Sequence, residues 1–520
     1  MPSEGISRLT EAALSREREQ WGTRAGFILA AVGSAIGLGN IWRFPYVAYE
    51  SGGGAFLLPY LIALLTAGIP LLIMEYTIGR RARRSPPLAY RSLSRRAETI
   101  GWWQVAICLV IATYYAVIIA WAMRYTGFSV GQDWGTDPES FLISDFLQRA
   151  DQPGMISSYV AGVAWPLVAV WVITLGVLAL GVRRGIERAN KIFIPLLVVV
   201  FAILVVQSLT LDGAADGLDA FFSPDWSAIT DGSVWVAVYG QIFFSLSVGF
   251  GIMITYASYL RRRADLTGSA MVAGFANSSF EILAGIGVFA AIGFMAANAG
   301  VGVGEVLDEG GIGLAFIAFP TIISSMPAGS GLFGILFFGA LVIAGLSSLI
   351  SIVQVVVSAV QDRTGWSRVP TVLVVGGAIA LASLVLFPTP EGLFILDAAD
   401  HFVNHYGIAM AALVSVVVVA WVLRRLPTLQ AHANETSALR LGWWWLLTLG
   451  VVTPVVLGWM MVDSLRTEFE APYEDYPVGF LLVAGWGVAV GVLVVGIALA
   501  YLPSRRADRF VSVTDEEGSD

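Results

Sequence analysis

The first apolar stretch of the chain is interrupted by the sequence Gly33-Ser34-Ala35-Ile36-Gly37-Leu38-Gly39-Asn40. Glycines and an asparagine at this density do not suit a continuous membrane helix. A helix that breaks inside the bilayer leaves N–H and C=O groups without partners, which is costly unless a cavity, an ion or a ligand takes them up. Arg43 follows in the same stretch, and an ionisable side chain at that depth usually has a function. The interruption therefore predicts a binding site within the membrane.

The composition is typical of a helical membrane protein. Of the 520 residues, 57% are hydrophobic and 13% are charged, and the mean hydropathy is +0.76. These charges are too few to cover a soluble globule of this size, but they suit a helical bundle in lipid. The single cysteine, Cys108, excludes a disulfide framework, and the three scattered histidines do not suggest a metal centre. The N-terminus has no apolar segment with a small-residue cleavage site, so we expect no removable signal peptide.

The loops between the apolar runs alternate in charge. Arginines follow the even-numbered runs, whereas acidic residues follow most of the odd-numbered ones, so the positive-inside rule places both termini in the cytoplasm. The net charge of −8 comes from the outer loops, and nucleic-acid binding is not expected. We expect an all-α protein of the cell membrane, with twelve spans of sufficient length. They lie near residues 25–47, 56–79, 101–128, 156–181, 190–211, 234–260, 271–299, 330–361, 370–388, 394–424, 441–464 and 477–502.

A second interruption, Ser245-Leu246-Ser247-Val248-Gly249-Phe250-Gly251, lies in span six, five spans after the first. Paired broken helices at matching positions are typical of inverted repeats in secondary transporters, whose ligand sites lie where the breaks meet. The expected divisions are a cytoplasmic segment at 1–24, a first repeat at 25–211, a second repeat at 234–424 with an outer hairpin at 305–328, two appended spans at 441–502, and a cytoplasmic tail at 503–520.

Close helix packing is the alternative explanation for glycines in membrane helices. We favour it for Gly285 and Gly287, and it stays open for the break in span six. The first break has more glycine and polar residues than packing requires, since Arg43-Phe44-Pro45 and Ser51-Gly52-Gly53-Gly54 follow it. Polar clusters within membranes are usually functional. We therefore interpret the first break as part of a site.

At these positions the chain resembles the neurotransmitter:sodium symporter family, in particular its prokaryotic amino-acid transporters. The resemblance covers spans one to eight, whereas spans nine to twelve match only in pattern. It implies a helical fold with a five-plus-five inverted repeat, and sodium-coupled import of an amino acid by alternating access. The matching motifs are Trp21-Gly22-Thr23-Arg24, residues 33–45, residues 52–59, residues 240–259 and Ala344-Gly345-Leu346-Ser347-Ser348.

The resemblance also implies two sodium sites. Sodium is a hard cation that prefers oxygen ligands, and a broken helix offers carbonyl oxygens without an added charge. The first site would use oxygens of Ala35, Asn40, Ser245 and Asn277, completed by the carboxylate of the substrate. The second would use carbonyls of Gly33, Ile36 and Ala344 with the hydroxyls of Ser347 and Ser348. Interhelical hydrogen bonding is the alternative role for these two serines.

The implied substrate carries its own carboxylate, because monoamine-carrying family members have an aspartate where this chain has Gly37. That carboxylate would bind the N–H groups of Leu38 and Gly39, at a half-helix N-terminus that attracts anions, and the hydroxyl of Tyr115. An unpaired buried charge is costly, so we expect a neutral, aliphatic to moderately large amino acid. The implied side-chain pocket comprises Ser34, Ile111, Phe244, Ser247, Phe250, Ser348 and Ile352.

On the outer side, the resemblance implies a gate between Arg43 and Asp400. Asp397 is a rival for the acidic partner, because the sequence after it departs from the family pattern. Tyr115 and Phe250 would form an aromatic lid beneath this gate.

On the cytoplasmic side, the resemblance implies an ion pair between Arg18 and Asp362. Trp21 would close the pathway beside it. Exposed ion pairs contribute only about 0–1 kcal/mol, which suits a gate that must open.

Glu281 in span seven occupies a position where chloride-dependent relatives have a serine. The resemblance implies that its carboxylate replaces a bound chloride near Tyr60, Gln241 and Ser245, so that transport needs no chloride. After sodium leaves, the carboxylate would take a proton for the return step. The alternative is a structural hydrogen bond, which is the role we expect for Glu75 at the break in span six.

We therefore expect a sodium-coupled importer of a neutral amino acid and not an enzyme. Its partners would be two sodium ions, the amino acid and the bilayer, with no organic cofactor and no obligatory protein partner. Two alternatives stay open. One is a proton-coupled amino-acid transporter of the same architecture, and the other is a membrane receptor that binds the amino acid without transporting it.

Overall fold

The computed structural model describes residues 18–154, 156, 158–307, 311–326 and 328–503. The expected cytoplasmic segments 1–24 and 503–520 lie largely outside these residues. Among the described residues, ten helices are long and apolar enough to cross a membrane, and a bent helix pair makes an eleventh. Span six consists of two helices too short for this criterion, so the count of twelve stays a prediction.

The helices follow the expected order, with ends that differ from the apolar runs. Spans three and five begin earlier than expected, at Arg95 and Val182, because charged residues extend the helices beyond the bilayer-length apolar segments. The twelve spans are Arg24–Ala35 with Gly39–Glu50, Gly54–Ala82, Arg95–Phe128, Ala161–Ala179, Val182–Leu209, Gly232–Ser245 with Ile252–Ala257, Leu266–Ala299, Ser330–Thr364, Arg368–Leu386, Gly392–Val422, Trp443–Asp475 and Val478–Tyr501.

Spans three, seven and eight form the buried centre of the bundle, whereas spans nine and twelve lie at its periphery. The peripheral spans expose large apolar side chains such as Leu373, Leu381 and Val494. Exposed apolar surface of this extent is typical of a membrane-facing perimeter. The first half of span one packs against spans five, seven and eight, which places its break at the centre of the protein.

Span one bends by 56° between its two halves. The first half starts at Thr23, whose hydroxyl accepts a hydrogen bond from the N–H of Gly26 at 3.0 Å, as an N-cap does. It ends at Ala35, and Ile36 is extended. The amide oxygen of Asn40 accepts the N–H of Gly37 at 3.0 Å. The asparagine that marks the break in the sequence therefore satisfies backbone that the break exposes.

Residues 246–251 separate the two halves of span six. Ser247, Gly249 and Gly251 have φ angles of 53°, 93° and 85°, in the left-handed region that glycine adopts without steric cost. A carboxylate oxygen of Glu75 accepts the N–H of Gly249 at 2.8 Å, and this confirms the predicted role of Glu75. The side-chain amide of Gln104 donates to the carbonyl of Gly249 at 3.0 Å. Both neighbouring spans thus hold this strained segment.

Candidate functional site

The two breaks lie side by side. The hydroxyl of Ser247 in span six donates to the carbonyl of Ser34 in span one at 2.8 Å. Both residues are buried. Oxygens that helical hydrogen bonds would normally occupy therefore converge at the centre of the bundle, where broken helices are expected to bind ligands.

Ser347 and Ser348 of span eight contact the first break. The hydroxyl of Ser347 lies 2.7 Å from the carbonyl oxygen of Gly33 and 2.8 Å from that of Ala344. The hydroxyl of Ser348 lies 3.5 Å from the carbonyls of Gly33 and Ile36. These five residues, here named the second oxygen cluster, are the five that the sequence assigns to the second sodium site. They offer only uncharged oxygen, which suits a hard monovalent cation.

A first oxygen cluster comprises Asn40, Ser245 and Asn277. The amide nitrogen of Asn40 donates to the amide oxygen of Asn277 at 2.9 Å, and the amide nitrogen of Asn277 donates to the hydroxyl of Ser245. All three side chains are buried. Ala35, the fourth residue assigned to this site, ends the first half of span one at the same break.

Glu281 lies next to the first oxygen cluster and is fully buried. The side-chain amide of Gln241 donates to its carboxylate at 2.7 Å, and the hydroxyl of Tyr60 also contacts it. The same tyrosine lies 2.8 Å from Ser278, a residue that the sequence did not single out. No basic side chain among the described residues forms an ion pair with Glu281. A buried carboxylate without such a partner needs a proton or a cation nearby.

Two glycines give the first break its room. The N–H of Leu38 donates to the hydroxyl of Tyr115 at 3.2 Å. A Cβ atom on Gly37 would lie 3.0 Å from that hydroxyl, and one on Gly39 would lie 2.8 Å from the ring of Phe244. Tyr115 and Phe244 therefore border the free N–H groups of the break, as the expected carboxylate site requires.

The remaining residues of the expected side-chain pocket are buried. Their relative exposures are 5% for Ile111, 6% for Phe250 and 4% for Ile352. The thiol of Cys108 donates to the carbonyl of Phe250 at 3.1 Å, so span three reaches the break in span six. Ile352 follows Ser348 by one helical turn on span eight, and the two share a face.

The expected lid residue Phe250 is wrong. The guanidinium of Arg43 lies 4.7 Å above the ring of Phe244, a cation–π contact. Phe244 ends the regular helix before the break, whereas Phe250 follows the left-handed residue Ser247. The reversed backbone direction after Ser247 explains why the earlier phenylalanine lies beneath the outer arginine.

The structure distinguishes the two candidate acids of the outer gate. Asp397 accepts hydrogen bonds from the hydroxyls of Tyr473 and Tyr476, at 3.1 and 2.9 Å. Asp400 accepts one from Asn404 at 2.8 Å, and its charge acts on Arg43. Within the described chain, no ion pair shorter than 4.0 Å joins Arg43 to either acid. The geometry favours Asp400 as the acid that faces Arg43.

The inner gate residues are in contact. A guanidinium nitrogen of Arg18 lies 2.9 Å from the carboxylate of Asp362, and the same guanidinium donates to the hydroxyl of Ser258 at 3.0 Å. Burial opposes the charge of Arg18, but Asp362 and Tyr259 outweigh it and raise its pKa above the ordinary value. The indole N–H of Trp21 donates to the carbonyl of Tyr256 at 2.8 Å. These contacts tie the start of span one to spans six and eight.

Comparisons with known proteins agree with this geometry. The chain matches the profile of the sodium:neurotransmitter symporter family over residues 18–150 and 136–506. It belongs to this family. The symporter is 41% identical to an uncharacterized sodium-dependent transporter of Methanocaldococcus jannaschii over 466 residues, which are 90% of this chain and 94% of the relative. It is therefore a sodium-dependent membrane transporter.

Two further relatives of this symporter are more distant. The sodium- and chloride-dependent GABA transporter ine of Drosophila melanogaster is 28% identical over 553 residues, which cover 96% of this chain and 56% of that protein. The crystal structure of MhsT in complex with L-phenylalanine is 32% identical in sequence and superposes with a TM-score of 0.73, covering 86% of this chain and 100% of MhsT. The symporter thus has the fold of MhsT.

One anchoring residue of this symporter escaped the sequence analysis. Glu187 of span five accepts the N–H of Gly22 at 2.6 Å, the hydroxyl of Thr23 at 2.9 Å and the ammonium of Lys191 at 2.7 Å. It is a glutamate in an arginine-rich cytoplasmic segment, which was its only sequence signal. It fixes the start of span one against span five.

Proposed function

We propose that this transporter imports a neutral amino acid together with two sodium ions, without chloride, by alternating access. The observation that carries the proposal is the pair of uncharged oxygen clusters beside the free N–H groups of the first break. One location thus offers ligands for cations and for a carboxylate. The proposal also places both termini in the cytoplasm, on the basis of the arginine-rich loops.

The two sodium ions would occupy the two oxygen clusters. In the second cluster, carbonyls of Gly33, Ile36 and Ala344 and two serine hydroxyls already lie within 3.5 Å of one another in pairs. In the first cluster, the substrate carboxylate would complete the ligands. Binding of substrate and sodium would then be coupled, because each supplies part of the other's site.

The substrate would be an amino acid with an uncharged side chain. Leu38 and Gly39 would bind its carboxylate through their N–H groups, and Tyr115 would bind it through the hydroxyl. Gly37 supplies no competing negative charge. The crystallised complex of the relative MhsT with L-phenylalanine supports an amino acid as the class of substrate.

Glu281 would replace chloride. Its buried carboxylate lacks a basic partner among the described residues, and it touches Tyr60 and Gln241 beside the first oxygen cluster. A sodium ion in that cluster would balance its charge during import. A proton would balance it during the return step, which makes the cycle an exchange of an outward proton for inward sodium and substrate.

Alternating access would use the two gates. The pair Arg18 and Asp362 is in contact, whereas Arg43 has no carboxylate within 4.0 Å among the described residues. This asymmetry supports a conformation with a closed inner gate. Substrate and sodium would then close the outer gate by drawing Arg43 toward Asp400, and opening of the inner pair would follow.

Uptake of radiolabelled amino acids into proteoliposomes tests this function. Inward sodium gradients should drive accumulation of neutral amino acids, with chloride replaced by gluconate. Accumulation driven equally well by a proton gradient without sodium would instead favour the proton-coupled transporter. Binding without accumulation would favour the receptor. Ser348→Ala should remove sodium-driven uptake, and Ser383→Ala serves as a matched control, because it also loses a buried serine hydroxyl bonded to a carbonyl, that of Thr113.

A further inference from the structure

Span five contains a buried amide oxygen without a partner. Asn190 is 0% exposed, and its side-chain nitrogen donates to the carbonyl of Ile186 at 2.9 Å. Its Oδ1 atom accepts no hydrogen bond in the described structure. A buried acceptor without a partner is destabilising, so an asparagine at this position calls for an explanation that helix stability does not supply.

This oxygen lies against the first break. A Cβ atom on Gly33 would be 2.2 Å from Asn190 Oδ1, so the oxygen packs directly on the glycine. Gly33 also contributes its carbonyl to the second oxygen cluster, where Ser347 contacts it at 2.7 Å. The unpartnered oxygen is therefore adjacent to a site that we assign to a cation.

A polar row continues from Asn190 toward the cytoplasmic side. Glu187 precedes Asn190 by three residues on the same helix, so the two side chains share a face. The carboxylate of Glu187 lies where a Cβ atom on Gly26 would be, at 2.4 Å, and it contacts Gly22. Gly22 in turn lines a cavity of about 460 Å³ beside the inner gate residue Arg18. Oxygen atoms thus lead from this cavity to the second oxygen cluster.

We propose that Asn190 is a further sodium-binding residue, whose Oδ1 binds the ion of the second oxygen cluster as it passes between that cluster and the cytoplasmic cavity. The inference rests on the proposed function, because it requires a cation at the second cluster. An amide oxygen is a ligand of the type that sodium prefers. The negative charge of Glu187, one turn closer to the cytoplasm, attracts the same ion.

The test measures sodium binding to the purified full-length transporter. The assays are the sodium-induced rise in melting temperature and the rate of ²²Na⁺ dissociation. Asn190→Leu keeps the approximate size but removes the oxygen, and we expect its sodium affinity to fall by about tenfold. Its melting temperature without sodium should not fall, because the unpaired oxygen is gone. Asn190→Asp keeps an oxygen and adds charge, so sodium should bind more tightly and dissociate about tenfold more slowly.

Thr174→Val is the matched control. Thr174 of span four is also fully buried with an unpartnered oxygen, and we expect its loss to leave sodium affinity unchanged. If Asn190→Leu and Asn190→Asp both keep sodium affinity and dissociation within twofold of wild type, Asn190 binds no sodium and the inference is wrong. If Asn190→Leu does not fold, Asn190→Asp decides the question alone.

The same experiment separates this inference from the proposed function. A wild-type protein without sodium-induced stabilisation, or a Ser348→Ala variant with full stabilisation, would contradict the second sodium site and the inference with it. Normal responses from wild type and Ser348→Ala, with no effect of the Asn190 variants, would overturn the role of Asn190 alone.

Discussion

Gly37→Asp should abolish high-affinity binding of amino acids. A Cβ atom on Gly37 would lie 3.0 Å from the hydroxyl of Tyr115, which itself lies 3.2 Å from the N–H of Leu38. A new carboxylate there would be about 4 Å from the bound carboxylate of the substrate. Two like charges at that distance repel by about 4 kcal/mol at an effective dielectric constant of about 20. That energy corresponds to about a thousandfold weaker binding.

Competition binding with leucine, alanine and an amine that lacks a carboxylate measures this effect. Gly37→Asn is the control, because asparagine has nearly the same size as aspartate without the charge. We expect Gly37→Asn to weaken leucine far less than Gly37→Asp does, and the amine to lose less affinity than either amino acid. Undiminished leucine affinity in Gly37→Asp would refute the placement of the substrate carboxylate at this break.

Three further predictions concern the ions and the inner gate. Ser348→Ala should lower sodium affinity by about tenfold or more, whereas Ser383→Ala should not; equal sodium titrations of substrate binding would refute the second site. Glu281→Ser should make uptake depend on chloride and should abolish the internal alkalinisation that an exported proton produces, as an internal pH dye reports; a fully active, chloride-independent variant would leave Glu281 a structural residue. Asp362→Asn should weaken a largely buried ion pair, a change that can cost about 3–5 kcal/mol, and should expose Ser258→Cys to thiol reagents from the cytoplasmic side; unchanged labelling would contradict the role of this pair as a gate.

The sequence located both breaks because a broken membrane helix needs glycine and polar residues in a small space. Gly249 and Gly251 indeed have left-handed φ angles. Asn40 and Ser348 could be placed at the sites from their motifs. The sequence also predicted that Glu75 holds the second break, since a buried carboxylate near free backbone N–H groups has few other uses.

Other features required three-dimensional information. Asp397 and Asp400 lie three residues apart on one helix, so periodicity cannot separate them. Tyr473 and Tyr476, from a distant part of the chain, separate them by binding Asp397. Phe250 was misplaced because the left-handed turn at Ser247 redirects the chain.

Asn190 had no sequence signal, because a single asparagine in an apolar helix has many explanations. Only its unpartnered oxygen beside Gly33 gives it significance.

The coupling ratio of sodium to amino acid tests the central claim most directly. In proteoliposomes at zero membrane potential and equal pH on both sides, the substrate ratio at which net flux stops reports how many sodium ions move with each substrate. A tenfold sodium gradient supplies about 1.4 kcal/mol per ion, so two ions should hold an accumulation of about a hundredfold. Ser348→Ala should lower this value. A ratio near tenfold in wild type would mean that only one sodium ion is coupled, and no sodium-dependent accumulation at all would contradict the account.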